Sequence, residues 1–318
     1  MPIYDKVIIG KKAKKLGFVR DALEKMSRLS VILQHINEND SINRLLALKG
    51  GTAINLTVLN LPRLSVDLDF DFTENLSKEE TQEKREIIKD VIERYMNRED
   101  YTVNGKTKRT HALDSFVYAY TNAAGNKDNI KIEINYSLRC HLLPIITGNT
   151  KTSGILPDFT ARTLSPIEIY AGKSVALSDR AAARDLYDLN NMVIFALFDE
   201  CGRNLLRKCA VFYMAVSGEI NTQGFSHSGI TKITQFKIRT ELLPMIRSTE
   251  RFDLMAAQER VTDYMNKYMV LTENETTFLK QFSIGQYEPQ LLFDDADIIK
   301  RIENHPMVLW RLQHIREG

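Results

Sequence analysis

The sequence predicts an α+β protein in two parts, an α/β domain over residues 1–158 and a helical domain over 159–318. Three observations predict it. Strand-like alternation is concentrated in the first half, in RLSVDLDFDF (63–72) and NIKIEINYS (129–137). From Ser165-Pro166 onward almost every segment reads as helix, with Pro244 and Pro306 as rare punctuation. The 318 residues are 43% hydrophobic and 26% charged, an ordinary globular balance with enough chain for two cores.

The elements follow in order. Leu16, Val19, Leu23, Met26 and Leu29 recur at helical spacing and predict one long helix over 12–38. LLAL (45–48) reads as a buried strand. After Gly50-Gly51, Thr52–Leu59 reads as a helix closed by Leu61-Pro62. Residues 64–72 alternate as a strand. Ser77 with Glu80 three positions on forms a capping box that opens a charged helix over 77–98. Asn104-Gly105 signals a hairpin, and SFVYAYTN and NIKIEINYS flank the turn AAGNKD. A boundary is expected near Gly154–Pro157. Ser165 then caps a helix with Pro166 in its first turn. Trp310, in HPMVLWRLQHI, is expected to anchor the core.

Composition narrows the classes. A net charge of +2 gives no global field for a polyanion. Three cysteines, Cys140, Cys201 and Cys209, form an odd set without metal spacing, so reduced thiols filling a core in the cytoplasm are expected. The N-terminal apolar stretch is too short for a signal peptide and no run approaches a membrane span, so no membrane contact is expected. The six histidines lack ligand spacing, and no hydrolase signature is present.

One stretch carries chemistry, KGGTAINLTVLNLPRLSVDLD (49–69). In a strand, residues i and i+2 share a face, so Asp67 and Asp69 project together, with Asp71 following them. Val66, Leu68, Phe70 and Phe72 point the other way. Adjacent carboxylates repel unless a cation lies between them. A divalent metal answers this, and Mg²⁺ favours a few carboxylates together with phosphate oxygens. Gly50-Gly51 and Thr52 offer backbone N–H groups and a hydroxyl where a helix begins, a cradle for phosphate. Glu133, between Ile132 and Ile134, is a third carboxylate if its strand lies alongside. The plain alternative is an edge strand with a polar solvent face, and a Glu133 that merely faces Lys131.

The order KGGTAIN, then RLSVDLDFDF, then KIEI, then AGKSVALSDRAAARDLYDL resembles the AbiEii/AbiGii nucleotidyltransferase-toxin family, which includes the MenT toxins, over roughly residues 45–200. The resemblance implies a polymerase-beta-type nucleotidyltransferase domain, a mixed sheet with helices, followed by an all-helical C-terminal domain. It implies function for Ser65, Asp67 and Asp69 in R-x-S-x-D-x-D, and for Lys173 and Asp185 in the later motif. Threonine stands at position 52 where many nucleotidyltransferases carry serine. The resemblance also implies a nucleoside triphosphate donor with Mg²⁺ or Mn²⁺, an RNA acceptor, in particular the 3′ end of tRNA, and a cognate antitoxin protein.

Were 166–190 one helix, Lys173, Leu177, Arg180, Arg184 and Tyr187 would share a face. Three cations on one face are unfavourable unless an anion covers them, and a triphosphate would. Asp188 is placed to tie Arg180 and Arg184. Asp185 lies well round from Lys173 and reaches it only if the helix breaks, for which Ser178-Asp179 offers a new cap. The expected site is thus Gly50, Gly51, Thr52 and Ser65 on the phosphates, Asp67, Asp69 and Glu133 on metal, and Lys173 and Arg180 neutralising charge, with Asp185 beside them. Lys106, Lys108, Arg109, Arg203, Arg207, Lys208, Lys232, Lys237 and Arg239, with Tyr213 and Phe236, are candidate RNA contacts. Two rivals stand: a protein nucleotidyl- or phosphotransferase, including one that modifies its own Ser65, and a non-catalytic nucleotide-binding protein.

Overall fold

The structure, a computed structural model, describes residues 4–217 and 220–317. The chain divides into two compact units. The first holds the residues up to Arg139, Ile145–Leu164 and Leu243–Glu250; the second holds Cys140–Pro144, Ser165–Leu242 and the residues from Arg251 onward.

The first unit is built on β1 (Leu46–Lys49), β2 (Leu68–Phe72), β3 (Thr102–Val103), β4 (Lys108–Arg109), β5 (Leu113–Thr121), β6 (Lys127–Asn135), β7 (Ile146–Asn149) and β8 (Thr160–Thr163). Their order is β3-β5-β6-β2-β1-β8-β7, with β4 also on β5. The sheet is mixed: β2 runs antiparallel to β1 but parallel to β6, and β8 runs parallel to β1. Because β8 joins this sheet, the first unit runs past residue 158. The helices of this unit are α1 (Lys6–Leu16), α2 (Arg20–Glu38), α3 (Gly50–Ala53) and α4 (Lys78–Arg98).

Alternation explains the core. Leu68, Phe70, Phe72, Ile130, Ile132 and Ile134 are each at most 1% exposed. Each such side chain contributes about 1.5–3 kcal/mol by leaving water. The capping box of α4 is present in both directions, between Ser77 and Glu80.

Several expectations change. The single helix over 12–38 is two helices, because Gly17 at φ +77° takes the left-handed conformation that ends α1. The strand over 64–72 forms a ladder only from Leu68, so Asp67 lies on the approach to it. Asn104-Gly105 makes a turn but no hairpin. Instead β3 and β4 both pair with β5 as one interrupted strand, and Asn104 N–H and Thr107 Oγ1 both bond to the Val117 carbonyl across the interruption.

The second unit is helical, with α5 (Pro166–Arg180), α6 (Ala183–Ile194), α7 (Glu200–Ser217), α8 (Ser228–Thr231), α9 (Gln235–Lys237), α10 (Leu254–Tyr268), α11 (Glu273–Ser283), α12 (Ala296–Ile302) and α13 (Pro306–Glu317). Residues 166–190 are not one helix: the chain breaks at Ala181, where φ is +47°, and not at Ser178-Asp179. Trp310 is 46% exposed and lies against His314, so it does not anchor the core. Of the three cysteines only Cys209 is buried. Among the described residues no helix is long and apolar enough to cross a membrane.

Candidate active site

In the first unit the site grows from the end of β1. After Lys49 the backbone turns at Gly50, φ +68°, into a short α-helical turn that widens to a π-helix over Ile54–Val58. A Cβ on Gly50 would stand 2.7 Å from Asp69 Oδ2. A Cβ on Gly51 would stand 2.6 Å from Arg63 Nη2 and 3.2 Å from Ser65 Oγ. The two glycines therefore let the turn lie directly against the Arg63, Ser65 and Asp69 side chains. The glycine pair and the R-x-S-x-D-x-D segment are two walls of one place.

This gives a test. Gly50→Ala combines an unfavourable backbone angle with a collision on a carboxylate. It is expected to cost about 1–2 kcal/mol of stability and to displace Asp69, lowering turnover more than the loss of stability accounts for. Thermal unfolding and steady-state rates measured on the same protein check it.

Thr52 is buried and its hydroxyl donates to the Asp67 carbonyl at 2.5 Å. The expected phosphate ligand thus fixes the backbone that presents Asp67. Ser65 is also buried, at 8% exposure, which disfavours it as an acceptor of self-modification.

Strand register sets out the carboxylates. Asp69 pairs with Glu133 on one side and with Lys49 on the other, and Glu133 pairs in turn with Ser115. Ser115, Glu133, Asp69 and Lys49 therefore form one row across four strands. Asp67 and Asp71 stand one step to either side of Asp69 on the same face. Asp71 is buried and is neutralised by Lys49 Nζ at 2.5 Å. Lys131 Nζ lies 2.9 Å from Glu133 Oε2. Burial pulls the Lys131 ammonium down, but its bond to Glu133 and the charges of Glu133, Asp67 and Asp69 outweigh this and hold it above its ordinary value.

Asp67, Asp69 and Glu133 are half-buried oxygen donors on one face, a donor set suited to a hard divalent ion that also takes phosphate oxygens. Among the described residues no three His, Cys, Asp or Glu side chains converge as a metal-binding group.

In the second unit, the break after α5 carries Asp185 to Lys173. Lys173 Nζ is 2.6 Å from Asp185 Oδ1 and 3.1 Å from Asp188 Oδ2. Arg180 Nη2 is 2.8 Å from Asp185 Oδ2. Asp188 thus holds Lys173, where the sequence suggested Arg180 and Arg184. Burial would raise the Asp185 carboxyl, yet the charges of Lys173 and Arg180 and their hydrogen bonds hold it below the usual carboxylate value. Lys173 and Arg180, two of the three cations of that stripe, are thus paired.

Several of the candidate RNA contacts are engaged within the protein. Arg207 pairs with Glu275, Lys208 with Asp294, and Arg109 with Asp114 and Glu86. Arg203 donates to the Phe198 carbonyl and lies over Tyr268. Tyr213 is buried with its hydroxyl on Glu168, so it is not placed to stack on a base. Phe236 is 71% exposed. Lys49, Arg63 and Lys131 escaped the sequence reading as parts of the site. The parity of Lys131 with Glu133 was the available signal for one of them.

Comparison with known proteins adds three findings. A family model described as the nucleotidyl transferase AbiEii toxin of type IV toxin–antitoxin systems matches residues 31–283. Among solved structures, the MenT4 nucleotidyltransferase toxin of Mycobacterium tuberculosis aligns over 97% of this chain and 98% of its own, with a TM-score of 0.58 and 17% identity. At that identity the likeness speaks for the fold. No curated protein matches by sequence.

Proposed function

The chain belongs to the AbiEii nucleotidyl transferase toxin family, and from that premise we propose that it transfers a nucleoside monophosphate from a nucleoside triphosphate to an RNA hydroxyl, the 3′ end of tRNA first among candidates. The observation that carries this reading is the carboxylate row: Asp69 paired with Glu133, Asp67 one step away, and Gly50-Gly51 packed against Asp69.

Asp67 and Asp69, with Glu133 beside them, would hold a divalent cation, Mg²⁺ or Mn²⁺, which when bound neutralises phosphate charge and polarises the reacting phosphoryl group. The Gly50-Gly51 turn offers backbone N–H groups to the phosphates, with Thr52 holding the Asp67 backbone in place. The acceptor oxygen bonds to the α-phosphorus, the bond from that phosphorus to the bridging oxygen breaks, and pyrophosphate leaves. The hydroxyl proton is taken up by solvent, to which the half-buried carboxylate face is open. For Lys173, in the second unit, the family likeness supports a functional role, and its ammonium is held by Asp185 and Asp188. Asp185 and Asp188 are then positioning residues. Growth arrest in the absence of an antitoxin protein follows from blocked tRNA.

The test is an acceptor panel. Purified protein with Mg²⁺ and each α-labelled nucleotide is offered total tRNA, other RNA or protein. Label on tRNA supports the reading. Label on protein alone replaces it with protein modification.

A further inference from the structure

We infer that Lys131 is a resident counter-ion of the carboxylate row, which keeps the metal-free site together and must give way when a divalent cation binds. The inference rests on the metal-binding reading of Asp67, Asp69 and Glu133 given above.

Two observations carry it. The first is contact: Lys131 Nζ stands 2.9 Å from Glu133 Oε2, so its ammonium holds the carboxylate that lies beside Asp69. The second is register. The parallel pairing of β2 with β6 sets Leu68 opposite Ile132 and Asp69 opposite Glu133. Asp67 immediately precedes that ladder on β2, as Lys131 immediately precedes Ile132 on β6. Like charges on one face need a cation, and the chain supplies its own.

The neighbouring lysine makes the contrast. Lys49, its side chain 25% exposed, pairs with Asp71, whose carboxylate is buried. The Lys131 side chain is 39% exposed and that of Glu133 26%, so this pair can swing apart into water at small cost. A metal entering with a triphosphate would take Glu133, and the freed ammonium would remain beside the incoming phosphates. Metal binding would then be weak without nucleotide and stronger with it, because one cation must leave before the other is accommodated.

The experiment is a Mn²⁺ titration of the full chain, followed by electron paramagnetic resonance of the free ion, on wild type, Lys131→Met, Lys131→Arg and Asp67→Asn. Thermal unfolding of each protein in chelator runs in parallel. Lys131→Met removes a unit charge a few ångström from the ion and should bind Mn²⁺ about fivefold tighter or more. It should also unfold at a lower temperature in chelator, and recover when Mn²⁺ is added. Lys131→Arg keeps the charge and should remain near wild type. Unchanged or weaker Mn²⁺ binding by a folded Lys131→Met protein overturns the inference but leaves the metal reading intact, provided that Asp67→Asn loses binding. If neither wild type nor Lys131→Met binds Mn²⁺, both fall.

Discussion

An Asp67→Asn protein is expected to fold as the wild type does and to lose nucleotidyl transfer by roughly 10³-fold or more. The two halves of that expectation have separate causes. Asp67 precedes the β2 ladder and is half-buried, and what Thr52 grips is its backbone carbonyl. Asparagine keeps that carbonyl. It removes one of the like charges gathered around Asp69 and Glu133, which relieves repulsion. Stability should therefore hold or rise slightly while activity disappears, and circular dichroism, thermal unfolding and a rate assay on one preparation read both. A protein that lost activity only because it unfolded would show Asp67 to be structural.

Lys173→Met should behave in the opposite way, with a large loss of stability accompanying the loss of activity. The Lys173 side chain is 11% exposed and faces Asp185 at 2% and Asp188 at 1%. Removing the ammonium leaves two buried carboxylates with less countercharge. Breaking such a pair from one side costs about 3–5 kcal/mol. Arg180, with its side chain 64% exposed, remains on Asp185 and limits the damage there. Adding Asp185→Asn to Lys173→Met should recover part of the stability and none of the activity, which separates the two roles.

The same cluster sets an acid limit. The folded Asp185 carboxyl lies below its ordinary value because Lys173 and Arg180 outweigh its burial. A depressed carboxyl contributes stability that is fully present above its unfolded value, about 4, and is lost as pH falls through the folded one. Between the two the unfolded chain binds the extra proton, so unfolding becomes easier with acid. Asp185→Asn should flatten the fall in stability below about pH 4.

The elements with strong local signals were legible in the sequence: the capping box at Ser77 and Glu80, the β5–β6 hairpin, the proline that opens α5, and the alternation that hides Phe70 and Phe72. What escaped was set by tertiary register. Nothing local says that Asp69 lies beside Glu133, or that β8 joins the sheet after a long excursion. Backbone angles account for the rest. Gly17 ends α1 and Ala181 ends α5 through left-handed conformations that periodicity does not register. The Ala181 break decides how Asp185 reaches Lys173, because a continuous helix would have kept them apart. The glycine pair was visible, but the reason for it, close approach to Asp69 and Arg63, was not.

The central claim is that the carboxylate face moves a nucleotidyl group, and the position of the label in the donor tests it most directly. The purified protein is given total tRNA and Mg²⁺ with a nucleoside triphosphate labelled on either its α- or its γ-phosphate, beside Asp67→Asn. The account predicts that α-label appears on the RNA, that γ-label is released as pyrophosphate, and that neither occurs with Asp67→Asn. Transfer of γ-label to the acceptor, or α-label transfer that survives in Asp67→Asn, would contradict it.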